Sequence, residues 1–257
     1  MNRAAIVLLL LLSLFVHSPG IAATEEVPAQ RYREGLASYR EARYREAMEV
    51  FQRLIADGYV SLDLYYNLGN AAYKNGDLGL SVLSYERALV LDPGNADVTH
   101  NLNVVRARLR DRIEPIPLLF FLRWWNDLKT ASRPEALFHW SLGFFTLFAA
   151  AAFVFFGIRQ VTARRIALVA GVLLLGASVV TLTMSLQRTA DIEAHRDAVV
   201  MRSEVPVRSA PDATGVESFL IHEGLKVRIL DTRDGLYRIR LDDGKTGWIE
   251  QSALVRI

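Results

Sequence analysis

No cysteine occurs among the 257 residues, which removes disulfides, thiol catalysis and cysteine-ligated metal or iron–sulfur centres together. Nor is there an excess of one charge. With 30 basic and 28 acidic residues the net charge is +2, so no global field draws the chain to nucleic acid. Histidine is scarce. The five, at positions 17, 100, 139, 195 and 222, fall in different segments without paired ligand spacing, which argues against a metal site. Gly244-Lys245-Thr246 is a fragment of a phosphate loop, but Ile239 stands where that loop needs glycine and the pattern around it is a hairpin. No Gly-x-Ser-x-Gly nucleophile motif occurs either. The sequence therefore offers no catalytic residue, no metal ligands and no cofactor, and reads as a protein that is not an enzyme.

What it has in excess is apolar side chains, 51% of the total, and they are concentrated. Residues 1–23 read as a secretory signal: Arg3, the run Ala4 to Val16, then Pro19-Gly20 and small residues that predict cleavage after Ala22 or Ala23. Uncleaved, the same segment is an anchor. Residues 137–158 and 166–186 are each long enough to span. The first is ~33 Å of helix against a ~30 Å hydrocarbon core, and neither has a polar face. The alternative is a buried helical pair in a soluble protein. The connector 159–165 carries Arg159, Arg164 and Arg165, so the positive-inside rule places it in the cytoplasm and both flanks outside. The export signal makes the same demand. Residues 115–136 form a linker with Leu118, Phe121, Leu122, Trp125 and Leu128 in helical spacing, and Trp124 and Trp125 beside Arg123 and Lys129 suit a helix at headgroup level. A partner-docking helix is the other reading.

Between signal and linker, residues 24–114 show self-similarity at a period of 34: Gly35 recurs as Gly69, Tyr39 as Tyr73, Ala47 as Ser81 and Phe51 as Tyr85. The unit 62–95, with Gly69, the Gly76-Asp77 turn, Ala88 and the terminating Pro93, resembles a tetratricopeptide repeat. Unit 28–61 is a weaker copy, and an amphipathic segment 95–112 caps the stack. Two units and a cap are near the minimum for a solenoid core, so a partner, self-association or the membrane surface is expected to complete it. In repeats of this family the first helix of each pair lines the concave face. The resemblance therefore implies a peptide groove formed by Tyr32, Leu36, Tyr39, Arg40, Tyr66, Asn67, Asn70, Tyr73, Lys74, His100 and Asn101. Of the family's carboxylate clamp only Asn67 fits; Tyr32, Leu36, Asp97 and Asn101 depart from it.

From residue 197 to 257 the period becomes two: Val205 to Ser209, Lys226 to Leu230, Tyr237 to Leu241 and Gly247 to Ile249 read as short antiparallel strands, with Asp243-Gly244 as a hairpin turn. The predicted fold is a small closed or half-closed barrel, and the pattern resembles a bacterial SH3-like domain. That resemblance implies a binding module, in some relatives for cell-wall peptides, with Tyr237 and Trp248 as contact candidates.

The expected class is thus a multidomain membrane protein: all-α tetratricopeptide repeats, two transmembrane helices and a small all-β SH3-like barrel. This order of parts resembles the BatE family of the Bat (aerotolerance) system. The resemblance implies a non-catalytic scaffold in the bacterial inner membrane, with both terminal domains periplasmic. It would work with von Willebrand factor A-domain membrane proteins and a MoxR-type AAA+ ATPase in envelope or oxidative stress. The alternative is a tether or sensor that binds peptidoglycan through the SH3-like domain. The lipid bilayer is a partner on either reading, and nucleic acid on neither.

Overall fold

The computed structural model describes residues 22–114, 116–117, 119–194, 196–211 and 215–257, with side chains from Pro28 onward. The predicted signal segment lies outside the described residues up to residue 21, as do His17 and His195. The chain divides between Tyr59 and Val60 into two compact units.

The first unit is a helix pair, α1 (Ala22–Arg40) and α2 (Tyr44–Ala56). Ala47, Phe51 and Leu54 form its core. Phe51 lies so close to α1 that a Cβ added at Gly35 would stand 2.5 Å from its ring, so the backbones approach where no side chain intervenes. The Arg31–Asp57 pair, 2.7 Å, joins the start of α1 to the end of α2.

The second unit opens with the same device 34 positions on. Helix α3 (Leu62–Asn75) is capped by Ser61, whose hydroxyl accepts from the Leu64 N–H, and ends at Gly76 with φ 89°. Helix α4 (Leu78–Leu91) is capped by Asp77. A Cβ at Gly69 would lie 2.6 Å from the Tyr85 ring, reproducing the Gly35–Phe51 fit. Ser81, where the first repeat has Ala47, donates to the Gly69 carbonyl at 2.9 Å. Helix α5 (Ala96–Arg106) follows, capped by Asn95.

Helix α4 is buried nearly all round, from Gly79 through Glu86 and again at Ala88. A helix without a wet face must be covered on more than two sides. Here α3 and α5 flank it, and the carboxyl-terminal sheet covers the remainder. The cover expected from a partner or a membrane surface is thus supplied, for this repeat, by the chain's own β half. Gly79 allows that approach, since its Cβ would stand 3.3 Å from the Val200 carbonyl oxygen.

The sheet contains β1 (Asp197–Val200), β2 (Glu204–Arg208), β3 (Glu217–His222), β4 (Lys226–Arg233), β5 (Leu236–Arg240), β6 (Thr246–Glu250) and β7 (Leu254–Arg256), in the order β3-β2-β6-β5-β4-β1-β7. All pairings are antiparallel. Gly244, at φ 86°, turns the β5–β6 hairpin. Val207, Ile221, Val227, Ile239 and Ile249 fill the core. The order is linear, so the sheet is open, and of the closed or half-closed barrel expected from the sequence the closed form is not shown. At its β3 end the His222 N–H is taken by the Asp111 carboxylate at 2.6 Å, and β2 meets β6 at the single registered pair Arg208↔Trp248.

Between the helical and β parts run α6 (Phe120–Thr130), α7 (Pro134–Gly157) and α8 (Val161–Glu193). Helices α7 and α8 are long and apolar enough to cross a membrane, and few of their residues are buried, unlike a core pair of a soluble protein. They run antiparallel. Ser141 and Ser178 donate to each other's carbonyls at 3.0 Å, and Ser185 donates to the Pro134 carbonyl at 2.8 Å. Helix α6 instead runs parallel to α8: Trp125 Nε1 donates to Gln187 Oε1 (3.3 Å) and Lys129 to Asp191 (2.7 Å), both at a separation of 62 residues.

Gly69→Ala is expected to lower the stability of the full chain by about 1–3 kcal/mol through overpacking against Tyr85. Gly143→Ala, which meets nothing within 4 Å, is expected to leave it unchanged. Thermal unfolding of the two purified variants checks both.

Candidate functional site: the second repeat and its junction with the sheet

The groove candidates of the first unit all lie on α1. Tyr32 packs on Phe51, ring centroids 5.7 Å apart, and Tyr39 meets Tyr44 edge-on at 5.4 Å. Leu36 is half-buried and Arg40 exposed.

In the second unit Tyr66, Asn70 and Asn101 come together. The Asn101 amide donates to Asn70 Oδ1 (3.0 Å) and to the Tyr66 hydroxyl (3.2 Å), and Tyr85 donates to the same Asn70 oxygen at 2.5 Å. Asn70 therefore joins three helices, and an amide is suited to this because it donates and accepts at once. The other candidates scatter. Asn67 donates to the Asp63 carbonyl of its own helix, the Tyr73 ring carries the Arg108 guanidinium at 4.7 Å, and Lys74 and His100 are exposed. Tyr85 and Arg108 were absent from the predicted set. The 34-residue spacing marked Tyr85 as a packing residue, but nothing local marked its hydroxyl.

In the sheet, Trp248 is buried at 7% exposure with Arg233 over its ring, and Tyr237 is half-buried beneath Arg256. Of the connector arginines, Arg159 lies between the helices, whereas Arg164 and Arg165 belong to the first turns of α8, with Arg164 4.5 Å from the Phe155 ring centroid.

The most elaborate polar arrangement is one that sequence reasoning missed, where α4 meets the sheet. Glu86, its side chain only 7% exposed, accepts from Arg106 of α5 (2.5 Å) and from Lys226 of β4 (2.8 Å); Lys226 reaches on to Asp197 (3.3 Å), which also binds Arg228 (3.1 Å). At the amino terminus of α4 the Glu223 carboxylate accepts from the Leu78 and Gly79 N–H groups, a second cap supplied by the sheet. Asp111 holds the His222 ring at 2.8 Å, and Arg87 donates to the Arg256 carbonyl at 2.7 Å. A signal was present, since Glu86 and Arg87 are the only charged residues in Leu78–Leu91. A carboxylate in such a helix needs cations from elsewhere.

Burial works against the Asp197 carboxylate, yet Lys226 and Arg228 beside it hold its pKa below the ordinary aspartate value. Burial likewise opposes the Lys226 ammonium, and Glu86 and Asp197 outweigh it, so its pKa is raised.

Residues 32–96, α1 through the first residue of α5, match the tetratricopeptide repeat family. The paired helices agree with that match, and this region is a tetratricopeptide-repeat region, a fold that commonly binds other proteins. No curated protein matches the chain.

Lys226→Met leaves Glu86 one cation short and is expected to cost about 1–3 kcal/mol, less than a fully orphaned buried charge because Arg106 remains. The stability from Asp197 is present above the ordinary aspartate pKa of ~3.9 and lost as pH falls through the lower folded value; that from Lys226 is present below ~10.4 and lost as pH rises through the higher folded value. Acid is therefore expected to lower the stability of the full chain. In Asp197→Asn the acid dependence should flatten, as read by unfolding across pH.

Proposed function

We propose that this chain is a non-catalytic scaffold anchored in a bacterial inner membrane by α7 and α8, with its tetratricopeptide repeats and β-sheet both on the exported side. The observation that carries this reading is the junction of α4 with the sheet. A repeat whose outer side is occupied by the chain's own β half keeps its other face for a partner, and the salt-bridged joint transmits the position of one to the other. The half-buried Tyr66, Asn70 and Asn101 cluster offers rigid donors and acceptors of the kind that recognise an extended peptide backbone. The direction of α7 and α8 is supported by Arg159 between them and by Arg164 and Arg165 in the first turns of α8, at the same end of the pair.

Within this reading, the order of parts supports a Bat-type assembly: repeats, a tryptophan-bearing helix, two apolar helices joined by a short basic turn, and a terminal β half taken as SH3-like. Its partners would be von Willebrand factor A-domain membrane proteins.

In-cell crosslinking of the full chain tests both levels. A-domain membrane proteins are expected in the captured set, and their capture should fall several-fold in Asn70→Ala/Asn101→Ala. Recovery of peptidoglycan without those proteins would overturn the Bat assignment in favour of a wall tether. A reporter fused after Ile257 that is active only in the cytosol would overturn the membrane orientation.

A further inference from the structure

A cavity of about 720 Å³ opens where α4, α6, the end of α8 and strands β1 and β4 converge. Its height relative to the apolar part of α8 follows from the helix register. Trp125 stands beside Gln187 and Lys129 beside Asp191, and the same register carried back along α6 brings Phe120 to the level of Leu182. At 1.5 Å per residue, Phe120 is ~7 Å nearer than Trp125 to the middle of the apolar run. Phe120 is 84% exposed, and Phe121 and Trp124 are exposed beside it. The apolar run of α8 ends at Leu186. The cavity walls Arg188, Asp191 and Ile192 lie two to six residues beyond it, ~3–9 Å along the axis. On the membrane reading, on which this inference rests, that interval covers the headgroup layer, ~5–7 Å deep on each side of the hydrocarbon.

The walls carry five cations, three of which have carboxylates: Lys129 binds Asp191, Lys226 binds Glu86 and Asp197, and Arg228 binds Asp197. Arg188 and Arg196 have no carboxylate partner among the described residues, and the buried Arg188 Nε has no hydrogen-bond partner among them either. A buried guanidinium N–H without an acceptor is costly, and its fork geometry matches two phosphate oxygens. Asp127, also on the wall, sets a limit on how much negative charge the cavity accepts.

We propose that this cavity binds the phosphate of an anionic phospholipid headgroup, with Arg188 as the bidentate donor and Arg196 as the second cation, while Phe120 and Phe121 lie among the acyl chains below. The lipid would join α6, α8 and β4, and so couple the membrane helices to the sheet.

The full chain in nanodiscs of phosphatidylcholine with and without phosphatidylglycerol, released into native mass spectrometry, tests this. Retained phosphatidylglycerol adducts are expected in preference to phosphatidylcholine. Arg188→Gln should weaken retention about tenfold, Arg188→Lys should restore part of it, and Arg45→Gln, exposed on α2, should leave it unchanged. Equal unfolding midpoints for the variants keep a folding defect separate. Retention unaffected by Arg188→Gln overturns the proposal. Binding of inorganic phosphate to the detergent-solubilised chain without phosphatidylglycerol preference overturns the lipid source. Release of the chain from carbonate-washed vesicles is a different readout and overturns the membrane reading, and the lipid assignment with it.

Discussion

A carboxylate inside a helical repeat must find cations, and Glu86 finds one in each direction. Arg106 reaches it from the next helix of the solenoid and Lys226 from the sheet. The cost of desolvating such a group is met only when its charge and its remaining lone pairs are both occupied. The sheet therefore cannot leave α4 without taking from Glu86 one of its two cations. The rest of the second unit follows from this constraint. Glu223 caps the same helix, Gly79 and Gly224 keep the surfaces close, and Leu109 lies against Gly224.

Docking of this kind alters what a short repeat region needs. A solenoid with few units lacks enough neighbours to bury its outer helices, and α4 obtains the missing neighbour from the far end of its own chain. The two apolar helices, inserted between repeat and sheet in sequence, are then connected at both ends to one body. Residue 116 donates its N–H to the Asp242 carbonyl before α6 begins, and α8 runs to Glu193, shortly before β1.

How local a feature is decides whether it can be read from the sequence. The 34-residue recurrence of Gly35 as Gly69 and Phe51 as Tyr85 was readable because one glycine and one ring, on adjacent helices, form a complete contact. The apolar helices were readable from composition alone. The antiparallel strands were readable from two-residue alternation, and their turn from Asp243-Gly244. The open sheet was not, because closure depends on whether end strands find each other, and Asp111 at β3 comes from a segment more than 100 residues away.

Periodicity and hydropathy by themselves therefore determined the kinds of element in this protein, and which residues face inward within a helix pair or strand pair, since those patterns arise from neighbours in the chain. Only the tertiary structure decided that the sheet covers the second repeat, that Glu86 bridges them, that α6 stands parallel to α8, and that Arg188 lines a cavity with its Nε unpartnered among the described residues. Each of these joins residues separated by tens of positions or more, and the energy that selects them resides in burial and charge pairing, which no local pattern records.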